Sequence, residues 1–203
     1  MERLSNRPAL DVAGLPTVVF GPRSVVWLGT VLFMLIEGSM MAMLYATYFY
    51  YRTRTGDWPP GALPPNLTWG VANGILFILS LGPAWWIRRR ARAADVNGCR
   101  IGLILLSLFG LANIALRGFE FANLNCRWSA NAYASTIWVL LGVHSGHLLT
   151  NFIETVTLAV LAFSSRLEGT RLADFDENSM YWYFVVGVAV ATDFVVYGAS
   201  RLF

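Results

Sequence analysis

Residues 25–51 read VVWLGTVLFMLIEGSMMAMLYATYFYY, an apolar run whose only charged residue is Glu37. A helix needs about 20 largely apolar residues to cross the hydrocarbon core of a bilayer, so this run is long enough to span one. Its end is rich in tyrosine and phenylalanine, which is typical of the boundary between lipid tails and headgroups. The stretch therefore predicts a transmembrane helix.

Four further segments have the length and apolar character of spanning helices. They cover about residues 69–87, 101–123, 134–163 and 180–202, the last of them after an acidic stretch at 174–177. The whole chain of 203 residues is 56% hydrophobic and only 13% charged, against about 25% charged in ordinary globular domains. We predict an all-α integral membrane protein with five transmembrane helices in a single domain, residues 1–203. Residues 1–22 lack a short apolar core before a cleavage site, so no removable signal peptide is expected.

All fifteen basic residues are arginine, and their distribution predicts an orientation. Cytoplasmic loops carry an excess of positive charge, and with the N-terminus in the cytoplasm ten arginines fall on that side and five on the other. The ten are Arg3, Arg7, Arg23, Arg88, Arg89, Arg90, Arg92, Arg100, Arg166 and Arg171; the five are Arg52, Arg54, Arg117, Arg127 and Arg201. We predict a cytoplasmic N-terminus and a periplasmic C-terminus. Arginines spread between apolar runs do not form the solvated basic face of a nucleic-acid-binding protein.

Ionisable residues inside a membrane are costly and mark functional sites. Glu37 lies about 18 Å along its helix from Val25, near the bilayer midplane, where low polarity favours a neutral carboxyl unless a cation lies beside it. His144 and His147 share one face of the fourth helix, and Glu154 follows on that face. Because His147 has a similar depth to Glu37, we predict a hydrogen bond between the two.

Arg117 and Glu120 are spaced to meet on the third helix, either as an ion pair or in contact with a lipid headgroup. Two histidines on one helix cannot supply axial haem ligands from two helices. The sequence also lacks the Glu-x-x-His pairs of four-helix di-metal sites. No metal site and no catalytic residue are expected.

Several short motifs occur in one order along most of the chain. They are LFMLIE at 32–37, WPP at 58–60, Asn73, EF at 120–121, YAST at 133–136, GVHSGH at 142–147 and YWYFV at 181–185. This series resembles subunit III of the haem–copper terminal oxidases, with its Y-G-S-T…G-F-H-G-x-H and Y-W-H-F-V motifs. The chain looks like the short five-helix form of that family.

The resemblance implies an accessory subunit of a respiratory oxidase in the bacterial cytoplasmic membrane. Such a subunit has no cofactor and no catalytic centre of its own. It packs on subunit I, which carries haem and copper, binds phospholipid between its helices, and supports proton uptake and sustained turnover. The residues expected to serve lipid-cleft or proton-related roles are Glu37, Glu120, His144, His147 and Arg117.

The sequence departs from the family pattern at several positions. Tyr183 and Val186 replace a histidine and an acid of the last helix, Ile36 replaces a serine, and Arg117 replaces a glutamine. These differences point to a divergent branch, so a nitric oxide reductase or a quinol oxidase complex stays open as an alternative. A stand-alone proton or ion transporter that uses Glu37, His147 and Asp193 as a relay is the alternative from another class.

Overall fold

Five long helices account for most of the residues that the structure describes. The structure, a computed structural model, describes residues 19–61, 63–164 and 171–202. The helices are α1 (Val25–Arg54), α2 (Leu67–Arg92), α3 (Val96–Ala122), α4 (Ala132–Ala162) and α5 (Arg171–Asp193), and α5 continues through a π-helical turn (Phe194–Ala199) to Leu202. Each is long and apolar enough to cross a membrane. The prediction of an all-α protein with five spanning helices is confirmed.

Four of the helices begin at a polar side chain that accepts a hydrogen bond from a backbone N–H of the first turn. These residues are Ser24 for α1, Asn66 for α2, Asp95 for α3 and Asn131 for α4. Asp95 also binds Arg90 of α2, with 3.1 Å between Nη1 and Oδ2. This cap lets α3 begin at Val96, earlier than the predicted start near residue 101.

The start of α5 differs most from the predicted helix bounds. It begins at Arg171 instead of near residue 180, so the acidic stretch at 174–177 belongs to the helix rather than to the loop before it. Asp176 is only 1% exposed and accepts hydrogen bonds from Arg88 and Arg92 of α2 at 3.0–3.1 Å. These two guanidinium groups compensate the buried carboxylate and allow a charged turn to pack inside the bundle.

Arginines mark one end of the bundle, which we call the arginine-rich end: the last turns of α2 (residues 88–92) and the first turn of α3. Arg100 of α3 ties this end together, because its Nε donates to the backbone carbonyl of Ala162 at the end of α4, at 2.8 Å. Arg3, Arg7 and Arg166, which count toward the predicted orientation, lie outside the described residues.

The helices pack unequally. α2 lies between α3 and α5, α4 contacts α3 and α5, and α1 lies at the edge against α4 and α5. α1 buries only Glu37, Met41 and Tyr48. Trp182 of α5 is fully buried, and its indole N–H donates to Ser80 Oγ of α2 at 2.8 Å. The pairing of α2 with α5 is therefore fixed by a polar contact as well as by packing.

A glycine allows α2 and α5 to approach closely near the opposite end. A Cβ at Gly70 would lie 2.3 Å from Cε2 and 2.5 Å from Cζ of the Tyr197 ring. That ring is 4% exposed and lies in the π-helical turn, so an added methyl group would have to displace the ring or one of the helices. Only glycine fits at this contact without moving one helix.

We expect Gly70→Ala to lower the free energy of unfolding by about 1–3 kcal/mol, the usual cost of overpacking. The matched control is Gly187→Ala in α5, where an added Cβ meets no atom within 4 Å and helix propensity gains up to about 1 kcal/mol. Titration with sodium dodecyl sulfate in mixed micelles measures both variants. Equal unfolding midpoints for the two would contradict the contact.

Candidate functional site

Glu37 lies inside the bundle, where α1 faces α4 and α5. Its carboxylate Oε2 accepts a hydrogen bond from the Tyr181 hydroxyl at 2.6 Å. His147 Nε2 lies 3.6 Å from Oε1, which is too long for a hydrogen bond. The structure thus brings Glu37 and His147 together as expected, but the predicted hydrogen bond between them is wrong. Tyr181, which the sequence analysis did not connect with Glu37, makes that bond instead.

A pocket of about 270 Å³ opens beside this contact, between α1, α4 and α5. Its lining includes the carboxylates of Glu154 and Glu177 and the ring of Tyr181. Glu177 is 3% exposed, and neither of its carboxylate oxygens has a hydrogen-bond partner among the described residues. Tyr181 therefore belongs both to the lining of this pocket and to the contact with Glu37.

A second polar cluster joins α3 to α4. Arg117 and Glu120 form an ion pair through Nη1 and Oε2, and both side chains are almost completely buried. Arg117 Nη2 lies 3.0 Å from His144 Nδ1. The sequence left two possibilities for Arg117 and Glu120, an ion pair or contact with a lipid headgroup, and the structure contains the ion pair. Their burial inside the bundle leaves neither side chain open to a lipid headgroup.

The contacts of His144 fix its protonation state. Arginine stays protonated and only donates hydrogen bonds, so His144 Nδ1 must accept from Arg117. Nε2 then carries the proton and donates to the Val185 carbonyl of α5 at 3.1 Å. His144 is therefore a neutral imidazole that links α3, α4 and α5 through one ring.

Several polar atoms around this cluster are buried and unpaired within residues 19–61, 63–164 and 171–202. They are both amide atoms of Asn73, Glu120 Oε1, Arg117 Nε, Asp193 Oδ1 and the Tyr197 hydroxyl. Asp193 and Tyr181 are about 18 Å apart along α5 at 1.5 Å per residue. The structure therefore does not bring Asp193 to Glu37 and His147, as a relay of the three would require.

Buried amides form another contact that the sequence analysis did not find. Asn178 of α5 donates from Nδ2 to Asn151 Oδ1 at 3.0 Å and lies 3.1 Å from Thr155 Oγ1, both on α4. Asn151 and Thr155 are four residues apart, so they share a helix face. That spacing was a usable signal, but it does not identify the partner helix.

Metal ligands are not grouped in the described part of the chain: no three His, Cys, Asp or Glu side chains come together as a potential metal site. Cys99 and Cys126 are free thiols. Cys126 lies in the connection between α3 and α4, and burial raises the pKa of its thiol, which keeps it protonated and a poor ligand.

No family model matches the chain, but individual proteins do. A probable cytochrome c oxidase subunit 3 of Mycobacterium tuberculosis is 27% identical over 178 residues, 86% of this chain and 88% of that protein. The cytochrome c oxidase subunit 3 of Synechocystis is 28% identical over 178 residues, 83% of this chain and 73% of that protein. That of Corynebacterium diphtheriae is 25% identical over 180 residues, 86% of this chain and 88% of that protein. Matched in order over most of both chains, these relatives support the resemblance to oxidase subunit III that the sequence motifs indicate.

Proposed function

We propose that this chain is an accessory subunit of a haem–copper oxidase in the bacterial cytoplasmic membrane, and that it packs on subunit I. The observation that carries the proposal is the match to cytochrome c oxidase subunit 3 over 86% of the chain. Electrons from cytochrome c or quinol reduce dioxygen at the haem and copper of the partner subunits, and the complex couples this reaction to proton translocation. The chain itself supplies no redox group.

For Glu37 we propose a proton-related role. Its carboxylate is held by Tyr181 and approached by His147, so three groups that can exchange a proton meet in the bundle interior. Glu154 and Glu177 line the same pocket as this tyrosine. A proton that enters the pocket would have to cross from its carboxylates to the Tyr181–Glu37 contact, beside which His147 lies 3.6 Å from Glu37 Oε1. The role supports proton uptake by the complex.

For lipid we propose a site on the outer surface of α1. A groove of about 540 Å³ is lined there by Met34, Leu35, Gly38 and the ring of Phe184. Its walls are almost entirely apolar, which suits an acyl chain. Glu120, Arg117 and His144 take a proton-related or structural role instead of a lipid role, because all three are buried away from this groove.

Purification of the tagged chain tests the oxidase assignment. In mild detergent, haem is expected to co-purify with the chain in a constant ratio, with haem-specific absorbance in the same fractions. A chain that never migrates with a haem protein would contradict the assignment and favour the transporter alternative. The accessory role is then tested by measuring how fast oxidase activity is lost during turnover in complexes with and without this chain. Faster loss without the chain is expected.

Glu37 is expected to react with a hydrophobic carbodiimide in intact membranes, because such reagents modify protonated carboxyl groups in apolar surroundings. Mass spectrometry of the labelled chain locates the modification. Glu37→Gln removes the reactive group, and Glu154→Gln, which alters the exposed pocket carboxylate, is the matched control. Absence of label on Glu37 while other buried acids react would show that the carboxylate is ionised beside His147.

The predicted orientation is tested with reporter fusions. A reporter that is active only in the periplasm is expected to be inactive when it is fused after Asp95, in the connection at the arginine-rich end. Fusion after Gly56, in the connection between α1 and α2, is expected to give an active reporter. The reverse pattern would overturn the cytoplasmic N-terminus.

A further inference from the structure

A groove between α2 and α5 contains a carboxylate at membrane depth. The groove encloses about 340 Å³, and its lining includes Gly74, Ile75, Val190, Asp193 and Phe194. Its walls are apolar, with Ile75 54% and Phe194 53% exposed on the bundle surface. Asp193 is the only acidic or basic residue among the described residues of this lining, which also includes the phenol of Tyr197.

Asp193 is held against α2 but has no partner there. Its Oδ2 lies where a Cβ on Gly74 would meet it at 3.0 Å, so the glycine makes room for the carboxylate. Oδ1 is buried without a hydrogen-bond partner in the described part of the chain. Neither oxygen forms an ion pair with the described basic residues.

Two arginines of α3 and of the end of α5, Arg117 and Arg201, are already engaged with other groups. Arg117 is paired with Glu120 and bonded to His144, which is neutral by its own hydrogen bonds. Arg201 donates to the backbone carbonyls of Tyr197 and Pro65. The charges of Arg117 and Glu120 cancel, so no basic side chain among these groups is left to pair with the Asp193 carboxyl group.

The depth of Asp193 selects among possible partners. The residue precedes Leu202, the last described residue of its helix, by about 13 Å at 1.5 Å per residue. A lipid headgroup lies at the membrane surface, whereas a second helix can present a side chain at any depth. Acidic and basic residues inside membranes pair with each other in the interior of helix bundles.

We propose that the groove between α2 and α5 receives a transmembrane helix of another subunit, and that an arginine or lysine of that helix pairs with Asp193. The apolar walls pack against the helix, and the ion pair sets its depth. Charge complementarity commits the groove to a basic helix rather than to lipid or to a second copy of this chain. The inference rests on the proposed assembly of the chain into an oxidase complex.

Photo-crosslinking in the intact complex tests this proposal. A photoreactive amino acid replaces Ile75 in the groove wall or, as a control, Leu35 on the exposed face of α1. At Ile75 we expect a crosslink to a different membrane subunit, in a peptide that contains arginine or lysine. Asp193→Asn should lower the yield at Ile75 by about tenfold, because it leaves the partner's cation buried without its counter-charge. Asp193→Glu should restore it, and the yield at Leu35 should not change.

Three results would overturn the proposal: crosslinks from Ile75 to lipid only, a crosslinked dimer of this chain, or an unchanged yield in Asp193→Asn. The last result would mean that Asp193 is neutral in the complex. The amount of haem recovered with the tagged chain separates this outcome from failure of the proposed function. Haem without the Ile75 crosslink refutes only the docking site, whereas the crosslink without haem supports the docking site and refutes the oxidase assignment.

Discussion

Arg117→Met is expected to lower the free energy of unfolding by about 3–5 kcal/mol, the cost of leaving a buried charge without its partner. The variant removes the one cation that pairs with Glu120 among the described residues, and also the donor to His144 Nδ1. Both groups lie inside the bundle, where water cannot replace the lost contacts. Detergent titration in mixed micelles measures the loss, and the yield of folded protein in the membrane should fall with it.

The double variant Arg117→Met/Glu120→Met separates charge burial from packing. Replacing both members of a buried ion pair with apolar residues of similar size is often neutral or stabilising. We therefore expect the double variant to recover most of the stability that the single variant loses. If the double variant is as unstable as Arg117→Met alone, the contact of Arg117 with His144 is the stabilising interaction, and the ion pair is not.

Replacement of both Arg88 and Arg92 by glutamine is expected to cost about 3–5 kcal/mol, since Asp176 is then buried without a cation. Either single replacement should cost only about 0.5–1 kcal/mol, because the remaining arginine still binds the carboxylate and each guanidinium is partly exposed. The loss in the double variant should therefore exceed the sum of the two single losses. Unfolding midpoints of the three variants measure this coupling.

Two further variants control this experiment. Arg23→Gln/Arg89→Gln also removes two positive charges, one just before α1 and one in α2, but it leaves the contacts of Asp176 intact. Its stability should therefore stay near that of the parent. Adding Asp176→Asn to the Arg88/Arg92 double variant removes the unpaired charge and should restore stability. If the stability lost in the Arg88/Arg92 double variant is no larger than the sum of the two single losses, Asp176 does not need a cation.

The transmembrane helices could be predicted because hydropathy and length decide whether a segment spans a membrane. The starts of the helices were harder to predict, because they depend on single side-chain contacts. Asp95 caps α3 about one turn before its apolar run. Asp176 makes the acidic stretch helical, but only because Arg88 and Arg92 of another helix reach it. No local pattern in residues 174–177 contains that information.

For the candidate site, the depth of the residues could be predicted from the sequence, but their hydrogen-bond partners could not. Depth counting placed Glu37 and His147 at one level, and the structure brings them within 3.6 Å. Which atom bonds the carboxylate depends on the rotation of α5, which the YWYFV motif at 181–185 does not reveal. The spacing of Arg117 and Glu120 suggested their pairing, but their joint contact with His144 required the approach of α3 and α4.

The π-helical turn at Phe194–Ala199 changes the rotational phase of the end of the chain. A π turn holds an extra residue compared with an α turn, so side chains beyond it point in directions that an unbroken α-helix would not give them. Arg201 reaches the Pro65 carbonyl in the segment before α2 from this shifted phase. By changing the helical phase, the π-helical turn allows Arg201 to hydrogen-bond the segment before α2 and to hold the end of α5 against the start of α2. If the turn closed as α-helix with all its residues retained, Arg201 would rotate away from that carbonyl, and the end of α5 would separate from the start of α2 without a change in any residue of the core.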